Sequence, residues 1–133
     1  MPPSKQGTIE DAMTLNVDLA ATILGAANVS IPAVMQGHDM ANLYLNEATT
    51  RPQWRTEFFY EYPSIFGKSI IPGSTALVTK NLKYIHWPEW ETEQLFNLTN
   101  DPQEEHDEIN NPAYAQVLAD LKLRHEQLQE QVK

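Results

Sequence analysis

The sequence predicts an α+β fold: a small four-stranded antiparallel sheet with a C-terminal amphipathic helix packed on it, preceded by a short helix. Three observations predict it. Four short runs rich in aromatic and β-branched residues fall between Thr56 and Leu98, divided by Pro, Gly and Asn. Tyr114, Val117, Leu118, Leu121, His125 and Leu128 recur at spacings of three and four, the stripe of an amphipathic helix. Val17–Ala27 is rich in Ala, Leu and Ile, with Ala20, Ile23, Leu24 and Ala27 on one helical face.

Each element has local reasons. Residues 1–8 are polar and proline-rich and predict loose chain. Asn16 offers an N-cap for the first helix, and Asp18 falls in its first turn, where a carboxylate faces the positive helix end. Few polar residues surround this helix, so the pattern calls for cover on more than one side. Asn28-Val-Ser-Ile-Pro32 ends it. Residues 33–55 have weak periodicity and read as loops around Gly37, Thr49-Thr50 and Pro52, with one helical turn near Met40–Leu45.

Thr56–Tyr62 reads as the first strand. Pro63, Gly67, Pro72 and Gly73 make residues 63–74 a loop. Thr75–Lys80 and Leu82–Trp87 form two more strand-like runs, and Asn81 between them suggests a tight hairpin turn. Pro88 interrupts the chain before the fourth run, Glu93–Leu98. Asn111-Pro112 starts the last helix, a capping Asn followed by Pro at the first helical position.

Composition narrows the function. The chain has 133 residues, enough for one domain with a real core. Its net charge of −9 argues against binding nucleic acid, which needs a positive face, and against docking on anionic membranes. There is no cysteine, so disulfides, thiolate metal sites and a cysteine nucleophile are excluded. No apolar run reaches the roughly 18 residues of a membrane span. Met1-Pro-Pro-Ser-Lys-Gln6 lacks the apolar stretch of a signal peptide.

No complete active site is written in the residues. Glu104-Glu-His-Asp-Glu108 holds oxygen donors and an imidazole, but it lacks the spaced pattern of a calcium loop and reads as a solvated acidic segment. No serine sits in a Gly-x-Ser-x-Gly elbow, and the histidines at 38, 86, 106 and 125 are scattered. His125 reads as a helix-packing residue or a partner of the helix C-terminus. Phe58, Phe59, Tyr60, Tyr62, Tyr84, Trp87, Trp90 and Phe96 cluster in or beside the strands, most of them as sheet core. Trp87-Pro-Glu-Trp90 is the exception: two indoles so close in a loop are hard to bury together, so at least one contacts another surface.

One segment is more specific. Glu93-Gln-Leu-Phe-Asn-Leu-Thr-Asn-Asp-Pro-Gln-Glu104 resembles the E-x-L-Y/F-D-L-x-x-D-P-x-E stretch near the C-terminus of type I, formylglycine-dependent sulfatases of the alkaline-phosphatase-like superfamily. Ala76–Trp87 resembles the hairpin that precedes it, and Trp54–Glu61 the strand that opens that family's C-terminal sheet. Val17-Asp-Leu-Ala-Ala-Thr-Ile-Leu24 resembles its V-D-L-x-P-T-L-L helix, and Met35-Gln-Gly-His-Asp-Met40 the Q-G-x-S-L that follows. The matches fall in the family's order from about residue 7 to residue 130. Ala21 stands for a frequent Pro, Asn97 for the family's Asp, and Tyr62 for a His that often follows F-Y-E. Asn97 keeps an acceptor for a turn; a contact made by that His does not carry over.

The resemblance implies the C-terminal part of a sulfuric ester hydrolase. It would pack on the catalytic domain, its missing partner, and help wall the cleft for a sulfated carbohydrate. Residues 1–50 then correspond to the tail of the catalytic α/β domain, including the first helix, and residues 51–133 to the C-terminal subdomain. The residues expected to face substrate are Tyr62, Lys68, His86, Trp87 and Trp90. None is assigned a catalytic role and none a metal. The family's calcium and its formylglycine, made in a Cys/Ser-x-Pro-x-Arg motif, are implied for the intact parent. Ser30-Ile-Pro-Ala-Val34 has Val where that motif needs Arg. The resemblance also implies a periplasmic or secreted parent. The alternative is a stand-alone carbohydrate-binding or interaction module.

Overall fold

The computed structural model describes residues 6–7, 9–45, 53–64 and 72–132. It divides into two compact units, Met1–Arg55 and Thr56–Lys133.

The first unit is built on helix α1 (Val17–Ala26) and the short helix α2 (Ala41–Tyr44). Asn16 occupies the N-cap position of α1 but does not cap it with its side chain; its backbone is already helical at φ −60°, ψ −30°. The carboxylate of Asp18 in the first turn reaches back to the chain before the helix and accepts the Leu15 N–H at 2.7 Å. The far end closes in a Schellman motif. Asn28 takes the left-handed conformation (φ +55°), its N–H reaches the Gly25 carbonyl at 3.0 Å, and the Val29 N–H reaches that of Leu24 at 2.9 Å.

The buried face of α1 carries Asp18 and Ala21. The face that the apolar spacing marks for cover is largely open: Ala20, Ile23 and Ala27 are exposed and Leu24 is half-buried, and Val17 and Leu19 at its borders are exposed too. Gly37 passes tightly over the first turn of α1. A Cβ there would sit 2.1 Å from the Val17 carbonyl oxygen, so only glycine lets the two backbones meet.

The second unit is a sheet in the order β1 (Glu57–Tyr62), β2 (Ser74–Thr79), β3 (Leu82–Trp87) and β4 (Thr92–Asn97), all neighbours antiparallel. Helix α3 (Ala115–Gln131) follows a 3₁₀ turn over Pro112–Tyr114. The β2–β3 hairpin turns on Lys80-Asn81. The Thr79 hydroxyl steadies it, donating to the Leu82 carbonyl at 3.1 Å and accepting the Leu82 N–H at 3.0 Å. Asn111 caps the last helical segment as its sequence suggests, its Oδ1 accepting the Ala113 N–H at 3.0 Å.

The period of two sends alternate residues to opposite faces. One face carries Leu77, Tyr84 and Leu95, which pack against Leu121 of α3, with Tyr114, Val117, Leu118 and Leu128 around them. The stripe read from the sequence is therefore the docking face of α3. The other face carries Ala76, Ile85 and Phe96, joined by Tyr60, Trp87 and Leu98.

The acidic run is more than a solvated segment. β4 is an edge strand with unpaired backbone groups. Asp107 Oδ1 accepts the Leu95 N–H at 3.0 Å, and the Glu108 N–H donates to the Leu95 carbonyl at 2.7 Å. Glu104 pairs with Lys83 at 2.7 Å. Asn97 serves the turn after β4, accepting the Thr99 and Asn100 N–H groups at 3.0 and 3.2 Å. Its amide also donates to the Tyr114 hydroxyl at 2.7 Å, which a carboxylate does not do.

Candidate functional site

Strand register gathers the aromatic candidates at one end of the sheet. Tyr62 closes β1 opposite Ser74, the first residue of β2. Thr75 pairs with His86, so Trp87 follows at the same end of β3, and Thr92 opposite Trp87 begins β4. Alternation puts Tyr62 and Trp87 on one face and His86 on the other, toward α3. Trp90 stands in the turn between β3 and β4 and stacks on Trp87, with centroids 5.7 Å apart and planes 24° from parallel. Tyr62 is 38% and Trp90 57% exposed. Four of the five expected substrate-side residues therefore share an end of the sheet, and three share a face. Lys68 lies outside the described residues.

The turn is held firmly. Trp87 Nε1–H donates to Gln94 Oε1 at 2.9 Å, and the Trp90 N–H to the Trp87 carbonyl at 3.1 Å. The Thr92 hydroxyl donates to the Trp90 carbonyl at 3.0 Å. Glu89 accepts the Gly73 N–H at 3.3 Å, which fastens the turn to the chain entering β2. Glu91 sits at φ +50°, a left-handed conformation that glycine would adopt more cheaply.

His86 belongs to a different environment, a polar pocket in the core under α3. His125 is 3% exposed, with Nε2 2.9 Å from Thr75 Oγ1. The rings of Phe59, Tyr84 and His86 surround it at 5.2, 5.2 and 6.2 Å. His125 is thus a packing residue, and the helix C-terminus does not explain it. Tyr84 donates its hydroxyl to Glu93, which also pairs with Lys122 of α3. Burial first, then the Glu93 carboxylate, raises the Tyr84 hydroxyl well above its usual range. Burial pushes Glu93 up, but Lys122 and Tyr84 outweigh it and hold the carboxyl below its usual value. The hydroxyl–imidazole contact of Thr75 and His125 looks like a nucleophile with its base. Both are buried, and no substrate reaches them.

Burial lowers the His125 pKa, and the nearby His86 adds to the effect, while Glu126 and Glu93 partly oppose it. A depressed native value means the folded state binds fewer protons than the unfolded one. The contribution is therefore complete above the ordinary histidine value of about 6.5 and is lost as pH falls below it. Urea unfolding at pH 7.5 and pH 5.5 should show a lower midpoint at the acid value. The His125→Gln chain should show a flatter dependence over that window.

Sequence reasoning missed the densest polar site, in the first unit. Asp18 is fully buried and accepts four hydrogen bonds. They come from the Leu15 N–H, the His38 N–H at 2.8 Å, Arg55 Nη1 and Arg55 Nη2 at 2.6 Å. Burial pushes its pKa up, but the Arg55 guanidinium and the two backbone donors more than cancel that and hold it at about 2. The Thr22 hydroxyl adds a second stitch, donating to the Asp18 carbonyl at 2.7 Å and accepting the Met40 N–H at 2.9 Å. Trp54 Nε1–H donates to the Met13 carbonyl at 2.7 Å. The V-D-L, Q-G-H and Trp-Arg segments, far apart in sequence, thus meet at one carboxylate. The available signal was a single Asp in an otherwise apolar helix, with the Trp54-Arg55 pair downstream.

Comparison with known proteins now bears on the whole chain. Residues 2–131 match the family described as N-sulphoglucosamine sulphohydrolase, C-terminal. The chain belongs to this sulfatase C-terminal family. An N-acetylglucosamine-6-O-sulfatase of Bacteroides thetaiotaomicron is 29% identical over 133 residues, covering 97% of this chain and 23% of the relative. A solved structure of a protein in complex with its substrate, D-glucosamine-2-N,6-O-disulfate, superposes with a TM-score of 0.78 at 26% identity, over 90% of this chain and 24% of the other. A phosphonate monoester hydrolase from Silicibacter pomeroyi shares the fold, with a TM-score of 0.63 at 20% identity, over 91% of this chain and 25% of its own. The sulfatase C-terminal chain therefore spans about a quarter of the length of these relatives. Among its described residues, no helix is long and apolar enough to cross a membrane.

Proposed function

We propose that this domain packs on a sulfatase catalytic domain and that the Tyr62, Trp87 and Trp90 end of its sheet walls the cleft in which a sulfated glucosamine-type sugar is hydrolysed. The observation that carries the packing is the open apolar face of α1. Val17, Leu19 and Ile23 face solvent on a helix whose other side is tied down by a buried ion pair. An ordered helix with such a face is built to be covered. Similarity to proteins that carry a sulfatase name or hold a sulfated glucosamine supports the substrate class.

Catalysis resides in the parent's other domain under this reading. Calcium and formylglycine, implied for the family, find no fitting residues here. The chain has no cysteine, and Ser30-Ile-Pro-Ala-Val34 lacks the arginine of the modification motif. The one carboxylate–imidazole group among the described residues is Asp101, Glu105 and His106. The Asp101 carboxylate is engaged by the His106 N–H at 2.8 Å, and a hard cation such as calcium prefers an all-oxygen shell to an imidazole. No step of the reaction is routed through these residues.

The test has two arms. The isolated chain with calcium should release no sulfate from N-acetylglucosamine-6-sulfate or an aryl sulfate; turnover above background would sink the reading. Mixed with the N-terminal part of the Bacteroides relative, the chain should bind it, and Ile23→Glu should abolish that association. Equal association of the two forms would remove α1 as the contact. A stand-alone carbohydrate-binding role keeps one specific point in its favour, the stacked and exposed indole pair.

A further inference from the structure

We propose that Trp90 is a stacking platform for an uncharged sugar ring, a subsite for a part of the glycan that bears no sulfate. The substrate class rests on the sulfatase reading above; the platform rests on the geometry of the turn.

Three features carry it. First, the ring is presented and pre-set. Trp87 covers one face of the Trp90 indole and is itself pinned to Gln94. The backbone on either side of Trp90 is bonded to Trp87 and Thr92, so little freedom remains to be lost on binding. Second, Trp90 is 57% exposed although its side chain is a large aromatic one. An aromatic face carries negative potential and accepts the positively polarised C–H bonds on the flat side of a pyranose.

Third, among the described residues the charge in and beside the turn is acidic or already paired. The turn reads Trp87-Pro-Glu-Trp-Glu91, two carboxylates and no cation. Lys83, on the same face of the sheet, is paired with Glu104. Lys122 is committed to Glu93 on the opposite face. A sulfate placed beside Trp90 would meet the carboxylates of Glu89 and Glu91, while the described lysines Lys83 and Lys122 are already paired. Sugar hydroxyls, by contrast, would find acceptors in Glu89 and Glu91. The arrangement selects against sulfate at this position and for a neutral ring.

The experiment is an NMR titration of the 133-residue chain, following its three indole N–H signals, with a neutral N-acetylglucosamine tetrasaccharide and its 6-O-sulfated counterpart at low salt. The neutral sugar should shift the Trp90 indole signal saturably. The sulfated one should bind roughly five-fold or more weakly, and added salt should narrow the gap. Trp90→Ala should weaken the neutral sugar roughly ten-fold, and Trp90→Phe should restore most of the binding. The exposed position leaves the fold intact in both variants, checked by unchanged amide spectra elsewhere. No Trp90 shift, equal binding of Trp90→Ala, or preference for the sulfated sugar would each overturn the platform. A Trp90 signal moved by the N-terminal part of the relative but by no sugar would assign the ring to the domain contact instead, and overturn it too. The titration does not involve sulfate release, so the platform and the sulfatase reading fail separately.

Discussion

Arg55→Ala should unfold the first unit. The substitution leaves Asp18 buried without its counter-charge, and removing one partner of a buried ion pair costs about 3–5 kcal/mol. That is comparable with the whole stability of a small unit, at roughly 0.05–0.15 kcal/mol per residue. Loss of amide protection over α1, with the sheet amides still protected, would show it. Arg55→Lys should recover only part, because an ammonium does not span both oxygens as the guanidinium fork does. Replacing both partners, as in Asp18→Leu with Arg55→Met, should cost less than Arg55→Ala alone, since no charge is then stranded.

The same pair fixes an acid limit. Asp18 has a native pKa of about 2 against an ordinary 3.8. Its contribution is complete above the ordinary value and is lost as pH falls through about 2. The first unit should therefore keep its amide protection at pH 5, where the His125 contribution is already reduced. The two units carry their pH sensitivity in different ranges.

Leu95→Ala should have the second large effect. Leu95 is fully buried in β4, in the layer with Leu77, Tyr84 and Leu121 where α3 docks. Truncating a core leucine costs about 2–5 kcal/mol, the spread reflecting how far the cavity collapses. Urea unfolding followed by far-UV circular dichroism should show the midpoint fall while the slope stays the same. Leu95→Met, close in volume, should cost less than about 1.5 kcal/mol. If Leu95→Ala were as mild as Leu95→Met, α3 would not be packed on this layer.

The sequence alone determined the architecture of the second unit. Alternation and turn residues define the four strands, because each strand has one face against α3 and short turns leave little choice of partner. The α3 stripe is legible for the same reason: a helix with one buried face must repeat its apolar residues every three or four positions. Belonging to a sulfatase C-terminal family was readable from motif order, as the match over residues 2–131 bears out.

Only the tertiary structure decided what the isolated polar residues do. Asp18 looked like a helix-end charge and is the buried hub of the first unit, because its partners lie 20 and 37 residues away in sequence. His86 and Trp87 are neighbours in the chain, yet the strand period sends them to opposite faces, one toward His125 and the other toward Trp90. The acidic run protects an edge strand because folding brings Asp107 beside Leu95. Local pattern records which face of an element is apolar, since that depends on neighbours a few residues away. The pairing of single charges depends on contacts across the fold, and these leave no periodic mark in the sequence.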